Sequence, residues 1–214
     1  MTDRTRITYL FDPLCGWCYG AGPALGTLAA NPVFSLELAP TGLFAGTGAR
    51  PLDDGLAAHA WANDQRIEAL TGQRFSRAYR DQVLADRRRA FDSGPATLAL
   101  TAVHLAAPEG ERVALAALQH GRYVEGRDIT DPMVLASLLD AAGFPEAANR
   151  LAAPDAALLE ATRTRIATAR QSMRAFGADG VPALLIGEGE RRRLLPAGVL
   201  FRDLSVLLAT LAAA

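Results

Sequence analysis

The 214-residue chain contains no lysine; all 22 of its basic residues are arginine. Against 23 acidic residues this leaves a formal net charge of -1, so the basic excess that recognises nucleic acids or anionic membranes is missing. Neither class of partner is expected. Long hydrophobic runs are missing too: no stretch reaches the roughly 20 apolar residues of a membrane span. The start, Met1 to Arg6, is polar and passes directly into a strand-like segment rather than an export signal, which makes the cytoplasm the expected compartment. Cysteine and histidine are scarce, at two and three residues. A closed zinc site needs four ligands, and beyond the cysteines only His59, His104, His120 and scattered carboxylates remain, none at metal spacing. No metal site is expected, and the histidines carry no assigned role. What the chain does have is hydrophobic residues, 50% of the total, enough for a substantial core.

Arg6 to Phe11 is β-branched and aromatic and is bounded by Asp12-Pro13, which reads as a short buried strand. From Cys15 to about Ala30 the residues suit a helix, kinked after its first turn by Gly20, Gly22 and Pro23. Val33 to Ala39 alternates as a second strand, giving a β-α-β opening. Between Pro51 and Phe176 helix signals recur without a convincing strand, so this block reads as an all-helical insertion. Ser93-Gly94-Pro95 starts one helix and Pro108 ends it; Asp131-Pro132 caps another, which stops at Gly143. In the last helix Leu159, Thr162, Ile166, Ala169, Met173 and Phe176 step by three and four onto one core-facing stripe before Gly177. Val181 to Ile186 and Arg191 to Leu195 flank a Gly187-Glu188-Gly189-Glu190 turn as a hairpin. Gly198 to Ala213 then reads as one helix with Leu200, Leu204, Leu207, Leu208 and Leu211 along a stripe.

The two cysteines stand at the strand-to-helix junction as Cys15-Gly16-Trp17-Cys18. Two residues apart at a helix start, they are close enough to join as a disulfide. The first lies beside unpaired backbone N–H groups at the positive end of the helix, an environment that favours thiolate over thiol. Cys15, at the exposed end, is then the expected nucleophile, and Cys18, one turn inward, resolves the mixed disulfide it forms. Gly16 and Trp17 supply bulk and N–H groups around the sulfur and thereby set how oxidising the pair is. An inert structural disulfide is the weaker reading, because so small a loop stabilises little. Asp12 either forms the turn before Pro13, the favoured role, or relays a proton near the sulfurs. Trp17 and Tyr19 either rim the site for unfolded substrates or, in the case of Tyr19, pack against the inserted helices. The triplets Arg87-Arg88-Arg89 and Arg191-Arg192-Arg193 read as solvated surface charge rather than an anion site.

Three segments carry a resemblance. Tyr9-Leu10-Phe11-Asp12-Pro13-Leu14-Cys15-Gly16-Trp17-Cys18-Tyr19 is similar to the aspartate-proline-x-cysteine opening of cytoplasmic DsbA-like proteins, with Pro23 five residues beyond the second cysteine, where thioredoxins kink the helix. Tyr123-Val124-Glu125-Gly126-Arg127-Asp128-Ile129-Thr130-Asp131-Pro132 looks like that family's inserted-domain signature. Gly180-Val181-Pro182 before an apolar strand matches its cis-proline loop. Together they cover most of the chain. The resemblance implies an α/β thioredoxin-like fold with an inserted all-helical domain: residues 1–50 and 177–214 the thioredoxin-like part, 51–176 the insertion, and the helix 156–176 packed between the two. It also implies that Pro182 is cis and faces the cysteines, and that the Val181 backbone offers hydrogen bonds to an extended substrate. The implied activity is thiol-disulfide oxidoreduction, including protein disulfide isomerisation. No cofactor is implied beyond the cysteine pair, although glutathione is a candidate co-substrate. Partners are polypeptide or small-molecule thiols and disulfides. Gly16-Trp17 departs from the proline-histidine of the periplasmic oxidase and the glycine-proline of thioredoxin, and is nearer the glycine-tyrosine of the periplasmic isomerase. Two rivals remain: a kappa-type glutathione transferase or isomerase, a branch that normally lacks the second cysteine, and a non-enzymatic peptide-binding module on the same fold.

Overall fold

A computed structural model describes residues 4–212. The chain opens with strand β1 (Thr5–Phe11), helices α1 (Gly16–Gly20) and α2 (Gly22–Ala30), and strand β2 (Phe34–Pro40). The break at Ala21 falls where Gly20, Gly22 and Pro23 crowd together, with Pro23 in the first turn of α2, where a missing N–H does no harm. Next come β3 (Arg50–Pro51), α3 (Asp54–Thr71), a π-helical turn Tyr79–Leu84, β4 (Ala90–Phe91) and α4 (Gly94–Ala106). Helices α5 (Glu111–Tyr123), α6 (Pro132–Ala141), α7 (Pro145–Ala152) and α8 (Ala156–Phe176) follow. The chain returns through β5 (Ala183–Ile186) and β6 (Arg193–Leu195) to α9 (Leu204–Ala212).

Four strands form one sheet in the order β2-β1-β5-β6, with β1 parallel to β2 and antiparallel to β5, and β5 antiparallel to β6. Strand β1 is central and covered on both faces, so its residues from Ile7 to Phe11, Thr8 included, are buried throughout rather than alternately. Ile7, Tyr9, Phe11, Leu184 and Ile186 share a buried cluster with α1, α2, α9 and the insertion. Leu10, Ala183 and Leu185 on the other face pack with Ala169, Met173 and Phe176 of α8. Glu111, buried at the start of α5, ties this layer together: it takes Arg165 of α8 at 2.6 Å and His104 of α4 at 2.8 Å, while Arg165 also donates to the Leu38 carbonyl of β2 at 3.0 Å.

Several expectations need correction. The segment 51–176 is not free of strand, since β3 and β4 pair as an antiparallel ribbon. On α8 the predicted stripe holds at Thr162, Ala169, Met173 and Phe176, but its first member is Leu158, buried at 0% exposure, while Leu159 is 40% exposed. The C-terminal run is two pieces, a 3-10 turn Ala197–Phe201 and then α9, so Leu200 is not on the helix that carries Leu207 and Leu211. Ala213 and the Leu204 side chain lie outside the described residues. The partner strand of the hairpin begins at Arg193, after a 3-10 turn over Gly189–Arg191. The first arginine triplet does stay at the surface, where each arginine is ion-paired: Arg87 with Asp54, Arg88 with Asp86, and Arg89 with Asp131 and Asp128. Among the described residues no helix is long and apolar enough to cross a membrane, and no group of three or more His, Cys, Asp or Glu could hold a metal ion.

Candidate active site

The end of β1 delivers the chain into a turn that Asp12 builds. Its Oδ1 accepts the Leu14 N–H at 2.9 Å, and its carbonyl accepts the Cys15 N–H at 3.1 Å. The second oxygen takes the Phe44 N–H at 3.1 Å and the Ser93 hydroxyl at 2.7 Å, so the residue also pins the start of α4 beneath the turn. Ser93 therefore precedes its helix without capping it through its side chain. Burial raises the Asp12 carboxyl above the usual range, and the Ser93, Leu14 and Phe44 bonds pull it partway back. With its capacity filled by these donors, Asp12 has the geometry of a turn-builder rather than of a proton relay.

Cys15 immediately precedes α1 in extended conformation, with 7% of its surface exposed, and Cys18 is fully buried one turn further on. Both are free thiols. The Cys15 thiol donates to the Val181 carbonyl at 3.6 Å. Val181-Pro182 is a cis peptide, and Pro182 is buried. The Cys18 thiol is hydrogen-bonded with Cys15; burial, reinforced by that bond and by the Cys15 charge, pushes it well above the ordinary thiol range. Cys18 is thus held as a proton-bearing sulfur. Tyr9 donates to the Cys18 carbonyl at 3.2 Å and Tyr123 to the Leu14 carbonyl at 2.8 Å, clamping the loop from the sheet and from the insertion.

Along the Val181-Pro182 loop and Trp17 lies a mainly apolar cavity of about 510 Å³, bordered also by Leu195 and Phe201, with Asp179 at its edge. Trp17, half-buried, meets Phe201 edge-on at 5.2 Å between ring centroids and forms one wall. Tyr19 does not join this rim. It stacks on Tyr123 at 4.8 Å, meets Phe75 edge-on, and donates to the Arg74 carbonyl, entirely within the insertion.

Sequence reasoning missed a polar group behind the loop. Asp64 of α3, 4% exposed, accepts the Tyr79 hydroxyl at 3.0 Å through Oδ2, while Oδ1 lies so close to Gly16 that a Cβ there would overlap it. Burial lifts the Asp64 carboxyl to about 7, against the opposing pull of the Tyr79 bond and the Arg122 charge. Arg122 is itself 1% exposed, its guanidinium stacked over Tyr79, Phe91 and Tyr123 at 5.3 to 5.7 Å. A lone aspartate in a helix 46 positions beyond Cys18 carries no spacing signal. Only the glycine between the cysteines hinted that something presses on the loop.

A thioredoxin-like sheet carrying a Cys-x-x-Cys loop against a cis-proline, with helices inserted between its halves, defines a class, and the DSBA-like thioredoxin domain family model matches residues 6–201. The chain belongs to this family, whose members are thiol-disulfide oxidoreductases. Among solved structures it is similar to the cytosolic disulfide reductase DsbM from Pseudomonas aeruginosa, with 33% identity, a TM-score of 0.85, and coverage of 98% of this chain and 100% of that one. The same reductase solved with GSH gives 33% identity, a TM-score of 0.84, and coverage of 97% and 98%. A putative protein disulfide isomerase from Nitrosomonas europaea shares the fold, at 24% identity, a TM-score of 0.81, and coverage of 99% and 97%. No curated protein matches.

Proposed function

We propose that the chain reduces disulfides through Cys15 and Cys18, drawing its electrons from glutathione or a similar small thiol. The observation that carries this reading is the Cys15 thiol on the carbonyl of Val181 beside cis-Pro182, two residues that line an apolar cavity, with Cys15 also hydrogen-bonded to the Cys18 thiol. A substrate strand laid along Val181 would take that carbonyl and leave the sulfur facing its disulfide. Cys15, as thiolate, attacks one substrate sulfur; the substrate disulfide breaks and the other half leaves as a thiol after taking a proton. Cys18 then surrenders its proton and attacks Cys15, releasing the second substrate thiol and forming the Cys15–Cys18 disulfide. Two external thiols restore the dithiol and leave as their own disulfide.

Reduction is preferred to shuffling because the 33% identical relative is a disulfide reductase that has been solved with GSH; its cytosolic setting likewise supports a cytoplasmic site of action. Insulin or glutathione disulfide reduction by the purified protein is the test. Cys15→Ser should abolish turnover, and Cys18→Ser should accumulate a mixed disulfide visible as a mass adduct. Full turnover by Cys15→Ser refutes the reading. Glutathione conjugation to an electrophile that survives Cys18→Ala would favour the kappa-type transferase instead.

A further inference from the structure

We infer that Asp64 is a positioning residue of the redox centre: the inserted helix α3 sets its carboxyl against Gly16, and the charge it carries decides how far the dithiol is favoured over the disulfide. The inference rests on the Cys15–Cys18 couple proposed above and adds to it a group from outside the thioredoxin-like sheet.

The geometry leaves little freedom. Asp64 is held from behind by the Tyr79 hydroxyl, which is also hydrogen-bonded with the Arg122 guanidinium. From the front it meets the loop at the one position without a side chain. The ionisable groups coupled to it are Tyr79 from the π-helical turn and Arg122 and Tyr123 from α5; Asp128, just beyond α5, acts on Arg122, and Cys15, in the adjoining loop, acts on Tyr123. Tyr79 and Tyr123 are kept neutral by burial, and Asp128 is paired with Arg89 at 3.5 Å. Arg122 is therefore the one cation in the set, and its Nε has no hydrogen-bond partner. The negative charge that changes during the reaction is the one on Cys15, one residue from the point of contact.

Reduction of the Cys15–Cys18 disulfide by two external thiols breaks one S–S bond, forms another between the donors, and releases two protons. One proton goes to Cys18. Near neutral pH, where the Asp64 carboxyl titrates, the second proton passes to it and leaves Cys15 as thiolate, so the site takes up the electron pair without gaining net negative charge; at higher pH that proton goes to buffer and the carboxylate stays charged. With asparagine at position 64 that proton goes to buffer. An ionised Asp64 repels the new thiolate and disfavours the dithiol; a neutral side chain does not. For two charges within about 10 Å of one another at the effective dielectric of a protein, the repulsion is worth about tenfold in the equilibrium, or about 30 mV for a two-electron couple.

The experiment equilibrates wild type and Asp64→Asn in glutathione buffers of known poise from pH 5 to 9, with far-UV circular dichroism as the folding control. The expected result is agreement below about pH 6 and, above about pH 8, about tenfold more dithiol in Asp64→Asn, the curves parting near the value of about 7 to which burial lifts the carboxyl. Curves that stay parallel throughout overturn the inference. Tyr79→Phe supplies a second reading should Asp64→Asn not fold. Loss of a bond that holds the carboxyl down must move the inflection to higher pH, and an unmoved inflection also overturns it. A wild-type protein that exchanges with glutathione at no pH would instead defeat the proposed function.

Discussion

Replacing Asp64 with asparagine should make the fold more stable at pH 8 than at pH 5, relative to wild type, and the size of the gain follows from where the carboxyl sits. Burial moves it from 3.8 to about 7, a shift of about three units at about 1.4 kcal/mol each, giving a ceiling of about 4 kcal/mol. Because the folded value is raised, the native state binds the proton more tightly than the unfolded chain between about pH 4 and pH 7. Stability from this group is complete below that window and is lost as the pH rises through it. Asparagine removes the loss and can still accept the Tyr79 hydroxyl, but its amide N–H₂ faces Gly16 without an acceptor, which costs about 1–3 kcal/mol. The net gain at pH 8 should be about 1–3 kcal/mol, or about 2–10 °C in Tm for a chain of this length. Urea unfolding of both reduced proteins at the two pH values measures it. If wild type and variant change in parallel from pH 5 to pH 8, the carboxyl is not held protonated and the reasoning fails.

Other positions make equally definite demands. Gly126→Ala should cost about 2–4 kcal/mol, since φ is 72° there and a Cβ would lie 2.7 and 2.8 Å from the Ala78 backbone, which cannot swing aside; a shift in unfolding midpoint worth under about 0.5 kcal/mol would contradict that packing. Ser93→Ala strips one donor from buried Asp12 and should cost about 1–3 kcal/mol, more at pH 8 than at pH 4 because the lost bond favours the ionised carboxyl. An equal loss at both pH values would mean that Asp12 does not change charge between them. Trp17→Ala opens the cavity wall and should raise KM about threefold to tenfold with kcat nearly unchanged; a fall in kcat at constant KM would place Trp17 in the chemistry instead.

Signals that are local in sequence predicted local structure well. The β-branched run of β1, the Asp131 cap with Pro132, the glycine-proline kink at Ala21 and the hairpin after Pro182 all act over a few residues, and each has its counterpart in the fold. The β3–β4 ribbon was invisible because each strand is two residues long and one of the four residues is proline; only their pairing, across some 40 positions, makes them strands. On α8 an i, i+3, i+4 template accepts Leu158 or Leu159 equally, and packing decides between them by drawing Leu158 into the main buried cluster. Asp12 was legible as a turn residue through Pro13, but not as the acceptor of Ser93, 81 positions away. Arg122, Tyr79 and Asp64 escaped for the same reason: charge on a helix reads as surface until tertiary packing closes over it.

The dipeptide between the cysteines therefore cannot be understood from the loop alone. Glycine at position 16 would ordinarily be read as leaving the first sulfur open to substrate, yet the space it vacates is taken from behind by Asp64 Oδ1 and by Ile67, both from the insertion. The same insertion holds the Leu14 carbonyl through Tyr123 and, through Gln73, the Tyr19 carbonyl at 3.2 Å. A larger residue at position 16 would have to displace α3, and a different α3 would leave glycine without its neighbour. Loop and insertion are thus constrained as a pair. Transplanting the Cys-Gly-Trp-Cys sequence onto a thioredoxin-like sheet without these helices should reproduce the cysteine spacing but not the environment that Asp64 supplies.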